Sequence, residues 1–150
     1  MRTSAAGSKR RSSGFTLIEL LVVVAIIAIA TAGVSFALRD TQATQLEREA
    51  QRLAALLESA RAQSRASGVP VRWRVVEGGF RFDGAQPGTL PEQWLSETTQ
   101  VQGNAVLVLG PEPIIGPQQV VIAAANAPGR QLRVATDGLR PFRVTAGDGS

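Results

Sequence analysis

The 150-residue sequence contains neither cysteine nor histidine. Without cysteine there is no disulfide, and without both residue types the common zinc patterns are excluded. The same absences exclude a Ser-His-Asp triad and a Cys-His catalytic pair. Paired carboxylates for acid–base chemistry do not occur outside one charged helix face, so the sequence argues against an enzyme.

Acidic residues are missing from the first 18 positions, where all four charged residues are basic: Arg2, Lys9, Arg10 and Arg11. The rest of the chain carries twelve basic and twelve acidic residues, so the high isoelectric point comes from this short leader. The excess positive charge therefore indicates membrane topology and gives no argument for nucleic-acid binding.

A long apolar stretch, residues 15–38, follows the leader and contains one charge, Glu19. As a helix it would extend roughly 36 Å, which is enough to cross a hydrocarbon core of about 30 Å. Positive flanks stay in the cytoplasm, so we expect the N-terminus inside and everything after Leu38 outside. A charge at the centre of a membrane helix costs about 2.5–3.5 kcal/mol. Glu19 is therefore expected to have a partner outside its own helix.

The residues Gly14-Phe15-Thr16-Leu17-Ile18-Glu19 resemble the processing motif of type IV pilins and type II secretion pseudopilins. The resemblance implies that a prepilin peptidase cuts after Gly14 and that the new first residue, Phe15, is N-methylated. It also assigns Glu19 to the assembly and register of subunits. Residues 1–14 are then a leader, and residues 15–38 are retained as a single-pass anchor in the inner membrane, with the C-terminal part in the periplasm.

Two other interpretations of the N-terminus remain open. An ordinary secretory signal, cut at a site such as Ala28-Ile29-Ala30, would release a soluble periplasmic binding domain. A plain membrane anchor also fits the apolar run. Neither interpretation explains Glu19.

The helix is expected to continue beyond the membrane, because no proline occurs between Phe15 and Val69. Apolar residues at spacings of three and four predict an amphipathic half over residues 39–68, ended by Gly68 and Pro70. The apolar stripe consists of Leu46, Ala50, Leu53, Leu57, Ala60 and Ser64, widened by Ala54 and Leu56. The other face carries Glu47, Arg48, Glu49, Arg52, Glu58, Arg61 and Arg65, with two i,i+3 pairs, Glu49–Arg52 and Glu58–Arg61.

Residues 69–150 contain short apolar runs separated by glycine and proline, a pattern typical of β-structure. Strands are expected at 71–75, 80–82, 106–109, 119–125, 131–136 and 141–145, with an irregular segment at 83–95 and a frayed tail at 147–150. The first two strands and the last two are expected to form hairpins, and the strand at 106–109 is expected to be buried. The predicted fold class is α+β: a long N-terminal helix, its first half in the membrane, packed on a mostly antiparallel sheet of about five to seven strands.

Several segments of this outer part resemble the H-type minor pseudopilins of type II secretion (GspH): ARAQSRASGVPV, VRWRV with GGFRF, LGPEPIIGPQ, and a closing Asp-Gly hairpin. The resemblance implies a structural subunit without a cofactor, near the tip of a periplasmic pseudopilus that exports folded proteins. It implies these partners: the other minor pseudopilins, the major pseudopilin, the prepilin peptidase, the inner-membrane assembly platform and the inner membrane. A minor type IV pilin, active in pilus biogenesis or DNA uptake, is the alternative.

The tryptophans, the C-terminal arginines and the Asp-Gly pairs are expected to serve the fold and not to bind a ligand. Trp73 and Trp94 are expected to be core anchors and not ligand-stacking residues, because each lies in an apolar context. A basic strip of Arg130, Arg133, Arg140 and Arg143 is partly offset by Asp137 and Asp148, so nucleic acid is not an expected partner. Asp137-Gly138 and Asp148-Gly149 are interpreted as turns, since calcium requires six to eight oxygen ligands. No metal is expected, and Glu47 and Glu49 are expected to be solvated.

Overall fold

The computed structural model describes residues 16–126 and 129–147, except for the side chains of residues 34–40. The predicted leader, the predicted cleavage site at Gly14 and Phe15, and Asp148 with the end of the tail lie outside the described residues. The described elements are one helix, α1 (Leu17–Ser67), and seven strands. The strands are β1 (Arg72–Val76), β2 (Gly79–Asp83), β3 (Thr99–Val101), β4 (Val106–Val108), β5 (Gln118–Ala124), β6 (Gln131–Thr136) and β7 (Arg143–Ala146).

The chain divides into two units, Met1–Ala37 and Leu38–Ser150, and α1 contributes to both. In the second unit α1 ends where the sequence predicts. Gly68 has a φ of 70°, in the left-handed region that favours glycine, and its N–H donates to the carbonyl of Ser64 over 2.9 Å. Pro70 then prevents the helix from resuming.

The predicted apolar stripe of α1 is confirmed as part of the core. All six of its members are buried, and Ala54 beside them is buried as well. Apart from Ser64, they form one cluster with the inward side chains of the strands, among them Trp73, Phe80, Leu107 and Val134. The second unit is therefore held together by α1 packing on β-structure, as the α+β prediction requires.

The strands form two antiparallel sheets, so the expectation of a single sheet was wrong. Sheet A has the order β2-β1-β4, and sheet B has the order β3-β5-β6-β7. Strand β3 was not predicted, because its three residues contain a single apolar side chain, Val101. The predicted hairpins β1–β2 and β6–β7 are confirmed as antiparallel pairs.

Two details of the strand predictions need correction. β4 was expected to be a buried strand, but Val106 and Val108 are 53% and 42% exposed, while Leu107 between them is buried. The strand covers the core with one face only. In addition, the β6–β7 hairpin does not turn tightly at Asp137-Gly138, since a loop of residues 137–142 separates the two strands.

The buried stripe gives a first test of the packing. Replacing Leu53, which is fully buried, with alanine removes apolar contacts and leaves a cavity, so Leu53→Ala should lower the free energy of unfolding by about 2–5 kcal/mol. Arg48→Ala, at an exposed position of the same helix, should change it by less than about 0.5 kcal/mol. Thermal unfolding of the full chain in detergent, followed by tryptophan fluorescence, measures both. Equal melting temperatures for the two variants would contradict the packing of α1 on the sheets.

Candidate functional site

Glu19 lies in the first turn of α1, and its side chain is exposed. Thr16 precedes the helix, and its hydroxyl accepts a hydrogen bond from the backbone N–H of Glu19 over 3.3 Å. A threonine followed three residues later by a glutamate is the pattern of a helix capping box. The negative side chain also lies at the end of the helix where the macrodipole is positive. Thr16 therefore caps the start of α1, and the Glu19 carboxylate has a favourable position in its first turn.

Sequence reasoning missed this local role, although Thr16-x-x-Glu19 carried the signal. Among the described residues, no cation forms an ion pair with Glu19. Its charge therefore remains available for a partner from outside the described part of the chain. Assembly through Glu19 stays a prediction, as do cleavage at Gly14 and methylation of Phe15.

The part of α1 that follows Glu19 presents an apolar surface. Ten large apolar side chains between Leu17 and Ile29 are exposed. The one hydroxyl nearby, on Thr31, is satisfied within the helix by the carbonyl oxygens of Ile27 and Ala28, at 2.8 and 3.0 Å. An apolar surface of this extent needs an apolar environment or a partner to cover it.

A search of the described residues finds no helix that is both long enough and apolar enough to cross a membrane. The predicted span, residues 15–38, begins with Phe15 and ends with side chains that lie outside the described residues.

The two tryptophans lie in the core, as predicted. Trp73 is fully buried, and its ring centroid lies 5.9 Å from that of Phe80 and 6.5 Å from that of Trp94. Trp94 is half-buried and packs edge-on against Phe80 at 4.6 Å. These tilted and edge-on contacts stabilise the inner side of sheet A, with Trp73 inside the core and Trp94 packed against it.

Glu49 was expected to be solvated, and that expectation is wrong. The residue is 1% exposed, and its carboxylate accepts hydrogen bonds from the backbone N–H groups of Leu95 and Ser96 over 2.6 and 3.3 Å. Arg52 forms an ion pair with it at 3.2 Å and also donates to the carbonyl of Gln93. Glu49 therefore fixes the irregular segment before β3 to α1. Glu47, two residues earlier, is exposed as expected.

Arg61, also placed on the solvated face, is 3% exposed. Its guanidinium donates to the carbonyl oxygens of Pro113 and Gly138 over 3.1 and 2.8 Å. Glu58 lies 3.7 Å from Arg61 and accepts the backbone N–H of Phe142. Both predicted i,i+3 pairs are thus confirmed. They do not lie free on the surface of α1, because their side chains also form hydrogen bonds to the backbone of loops.

The four arginines of the predicted basic strip are spread over sheet B. Arg133 on β6 and Arg143 on β7 both lie on the side opposite the buried Val134. Arg130 precedes β6, whereas Arg140 lies in the loop after it, at the other end of the strand. Arg140 is also 3.7 Å from the carboxylate of Asp137. The structure therefore does not gather the four side chains into one compact patch.

Asp137 closes a turn. Its Oδ1 accepts the backbone N–H groups of Leu139 and Arg140 over 2.9 and 2.7 Å. The backbone hydrogen bond from Arg140, followed by that from Leu139, lowers the pKa of the Asp137 carboxyl below its ordinary value. Within residues 16–126 and 129–147, no group of three metal-ligating side chains is found.

Comparison with known proteins connects the N-terminal segment to a family. Residues 9–35 match the family described as "Prokaryotic N-terminal methylation motif". This match supports the type IV pilin and pseudopilin family. No curated protein and no solved structure matches the chain.

The match extends across the predicted cleavage site and covers Glu19 together with much of the apolar run. It implies processing by a prepilin peptidase and assembly with other pilin-like subunits, and it suggests an N-terminal anchor in the inner membrane. Type IV pilin-like proteins are typically structural and not enzymes. An N-terminal helix followed by antiparallel sheets fits a pilin-like fold.

Proposed function

We propose that this chain is a minor pseudopilin of the GspH type, a structural subunit near the tip of the periplasmic pseudopilus of a type II secretion system. It is anchored in the inner membrane by residues 15–38, with the N-terminus in the cytoplasm and the second unit in the periplasm. Its partners are the major pseudopilin, the other minor pseudopilins and the inner-membrane assembly platform. Its contribution to export is mechanical.

The observation that carries this proposal is the methylation motif matched over residues 9–35, with Glu19 in the first turn of an apolar helix. The second unit adds support in a different way. Its carboxylates and guanidinium groups at Glu49, Glu58 and Arg61 bind loops to α1, so they serve the fold. An ordinary secretory signal would not account for a glutamate at the start of the apolar run.

Processing provides the direct test. Cleavage between Gly14 and Phe15, with one methyl group on the new amine, should give a single mature N-terminus. Intact-mass and peptide mass spectrometry of the protein extracted from membranes measures both changes at once. A soluble product that begins near Thr31 would contradict the proposal and support cleavage as a secretory signal.

The alternative, a minor type IV pilin, shares this processing step and needs a separate test. The genes beside this one distinguish the two, because a secretion operon and a pilus cluster encode different machinery. DNA binding by the purified chain, lost in an Arg133→Ala/Arg143→Ala double variant, would favour the pilin. These two arginines are the pair that share one face of sheet B.

A further inference from the structure

Three arginines lie around the carboxylate of Asp83 on the side of sheet A that points away from the core. The strand register places Arg72 opposite Asp83 and Arg74 opposite Arg81, and all four side chains are exposed. Asp83 forms its ion pair diagonally, with 2.6 Å between its Oδ2 and Nε of Arg74. Among the described residues, Arg72 and Arg81 form no ion pair. The charge of Glu92 also acts on Arg74, where after Asp83 it helps to raise the pKa of the guanidinium. With three arginines against these two carboxylates, the group keeps a net positive charge.

This arrangement is not required by the fold. Two like charges directly opposite each other on one face of a sheet destabilise the pair of strands, and Arg74 and Arg81 are such a pair. At these outward-facing positions, any small polar side chain would keep the alternation of buried and exposed residues along β1 and β2. The hydrogen bond from Arg74 lowers the pKa of Asp83, and the charges of Arg81 and Arg72 act in the same direction. Asp83 thus stays ionised at neutral pH and still leaves the group positive.

Apolar surface adjoins the arginines on the same side of the sheet. In the register of β1 with β4, Val108 lies opposite Arg72 and Val106 lies opposite Arg74. Both valines are exposed, as given above for β4. We call this surface the arginine face; it consists of Arg72, Arg74, Arg81, Asp83, Val106 and Val108. Arginine is enriched in protein–protein interfaces, and the buried centre of an interface is more apolar than the rest of the surface.

We propose that the arginine face docks a partner protein through a surface of carboxylates and apolar side chains. The planar guanidinium fork of Arg72 or Arg81 matches a carboxylate with two parallel hydrogen bonds. The two valines would cover apolar surface next to these contacts. The inference holds whether the chain joins a pseudopilus or a pilus, because it depends on the face alone.

Nucleic acid and anionic lipid fit this face less well. Asp83, among the arginines, repels phosphate, and two free guanidinium groups would neutralise only about two phosphates. None of the residues that form the face is aromatic, so bases have no stacking platform there. Outside the leader the chain carries equal numbers of acidic and basic residues, which gives no long-range attraction to a polyanion.

Photo-crosslinking in the native cells tests the proposal. The full chain carries p-benzoylphenylalanine in place of Val106, and mass spectrometry identifies the cross-linked peptide of the partner. The matched control carries the same group in place of Gln119, an exposed residue of sheet B. We expect a protein adduct from position 106 at a peptide that contains Asp or Glu. No adduct at this position, or an adduct only to lipid or nucleic acid, would overturn the proposal.

Charge exchange decides whether the arginines themselves make the contact. Arg72→Glu/Arg81→Glu should lower the yield of the adduct at least about tenfold. Reversing the cross-linked acidic residue of the partner to lysine should restore it. Arg130→Glu/Arg143→Glu makes the same change in net charge on β7 and just before β6, and it should leave the yield unchanged. An adduct that survives the first double variant, or that no partner reversal restores, would refute the role of the arginines.

The double variant is also informative about folding. Arg81→Glu places an acid opposite Arg74 and removes one like-charge pair, whereas Arg72→Glu places an acid opposite Asp83 and creates another, so the two changes offset each other and the melting temperature should change little. A lost adduct with an unchanged melting temperature therefore indicates a lost contact. A large fall in melting temperature would show that these arginines serve the fold, which contradicts the inference.

Discussion

Glu49→Ala is expected to lower the free energy of unfolding of the Leu38–Ser150 unit by about 3–5 kcal/mol. The substitution removes the acceptor of two backbone N–H groups, those of Leu95 and Ser96, and the ion-pair partner of Arg52. Removing one partner of a buried charged pair costs about this much, because the groups left behind are desolvated and unpaired. For a domain of this size the loss corresponds to roughly 10–20 °C in melting temperature.

Glu47→Ala is the matched control. It removes the same functional group two residues earlier on α1, where the side chain is exposed and accepts a hydrogen bond from Gln51. Its effect should stay within about 0.5 kcal/mol. Glu49→Gln should fall between the two variants, since an amide oxygen can still accept one of the N–H groups. Thermal unfolding of the full chains, followed by the fluorescence of Trp73 and Trp94, measures all three. If Glu49→Ala has the same melting temperature as Glu47→Ala, the buried carboxylate does not stabilise the segment that contains Leu95 and Ser96.

Periodicity explains why most elements could be predicted from the sequence. The spacing of Leu46, Ala50, Leu53 and Leu57 indicates one buried helix face whatever covers it. The alternation around Trp73 likewise indicates a strand with one side on the core. Gly68 with Pro70 marked the end of α1, because the local backbone preferences there do not depend on the rest of the fold.

The errors arose where non-local contacts decide the environment of a residue. Glu49 and Arg61 lie at the flank of the apolar stripe, and only the loops that fold over this flank bury them. The contacts involve Leu95, 46 positions away, and Gly138, 77 positions away. No local pattern contains that information. The division of the strands into two sheets is equally non-local, since it depends on which strands pair across long connections.

The N-terminal sequence contained two signals, and the sequence analysis used only one of them. The motif around Gly14 and Glu19 led to a family that the match over residues 9–35 supports. The same sequence also contained the capping-box pattern of Thr16 and Glu19, and the structure shows one half of it, the hydrogen bond from the Glu19 N–H to the Thr16 hydroxyl. Glu19 therefore has two candidate contributions, the start of α1 and the assembly of subunits. Separating these requires variants that remove one contribution at a time.

Glu19→Ala should abolish assembly, and the reason is electrostatic. Cleavage at Gly14 would create an amine at Phe15 that stays protonated after a single methylation. Within one chain this amine and Glu19 are four residues apart, about 6 Å along the helix axis. A neighbouring subunit can bring its amine closer. Two unit charges at about 4 Å attract each other by about 4 kcal/mol at an effective dielectric constant of about 20. An incoming subunit is then most stable at the one axial position where these groups meet.

Two further variants separate the charge from the cap. Glu19→Gln keeps a side chain that is suitable for a capping box but removes the charge. Thr16→Ala removes the hydroxyl that accepts the N–H of Glu19 and keeps the charge. If the charge sets the register, Glu19→Gln should fail like Glu19→Ala, with at least a tenfold loss of the other pilin-like subunits that co-purify from membranes. Thr16→Ala should assemble almost normally.

All three variants should be processed at Gly14, inserted in the membrane and folded in the second unit, because the substitutions lie in the first unit. Mass spectrometry of the mature N-terminus and the melting temperature check these points before co-purification is compared. If Glu19→Gln assembles at the parental level while Thr16→Ala fails, Glu19 acts by starting the helix. The charge would then have no role in register. If Glu19→Ala itself assembles at the parental level, the residue has no part in assembly, and another contact must fix the position of each subunit.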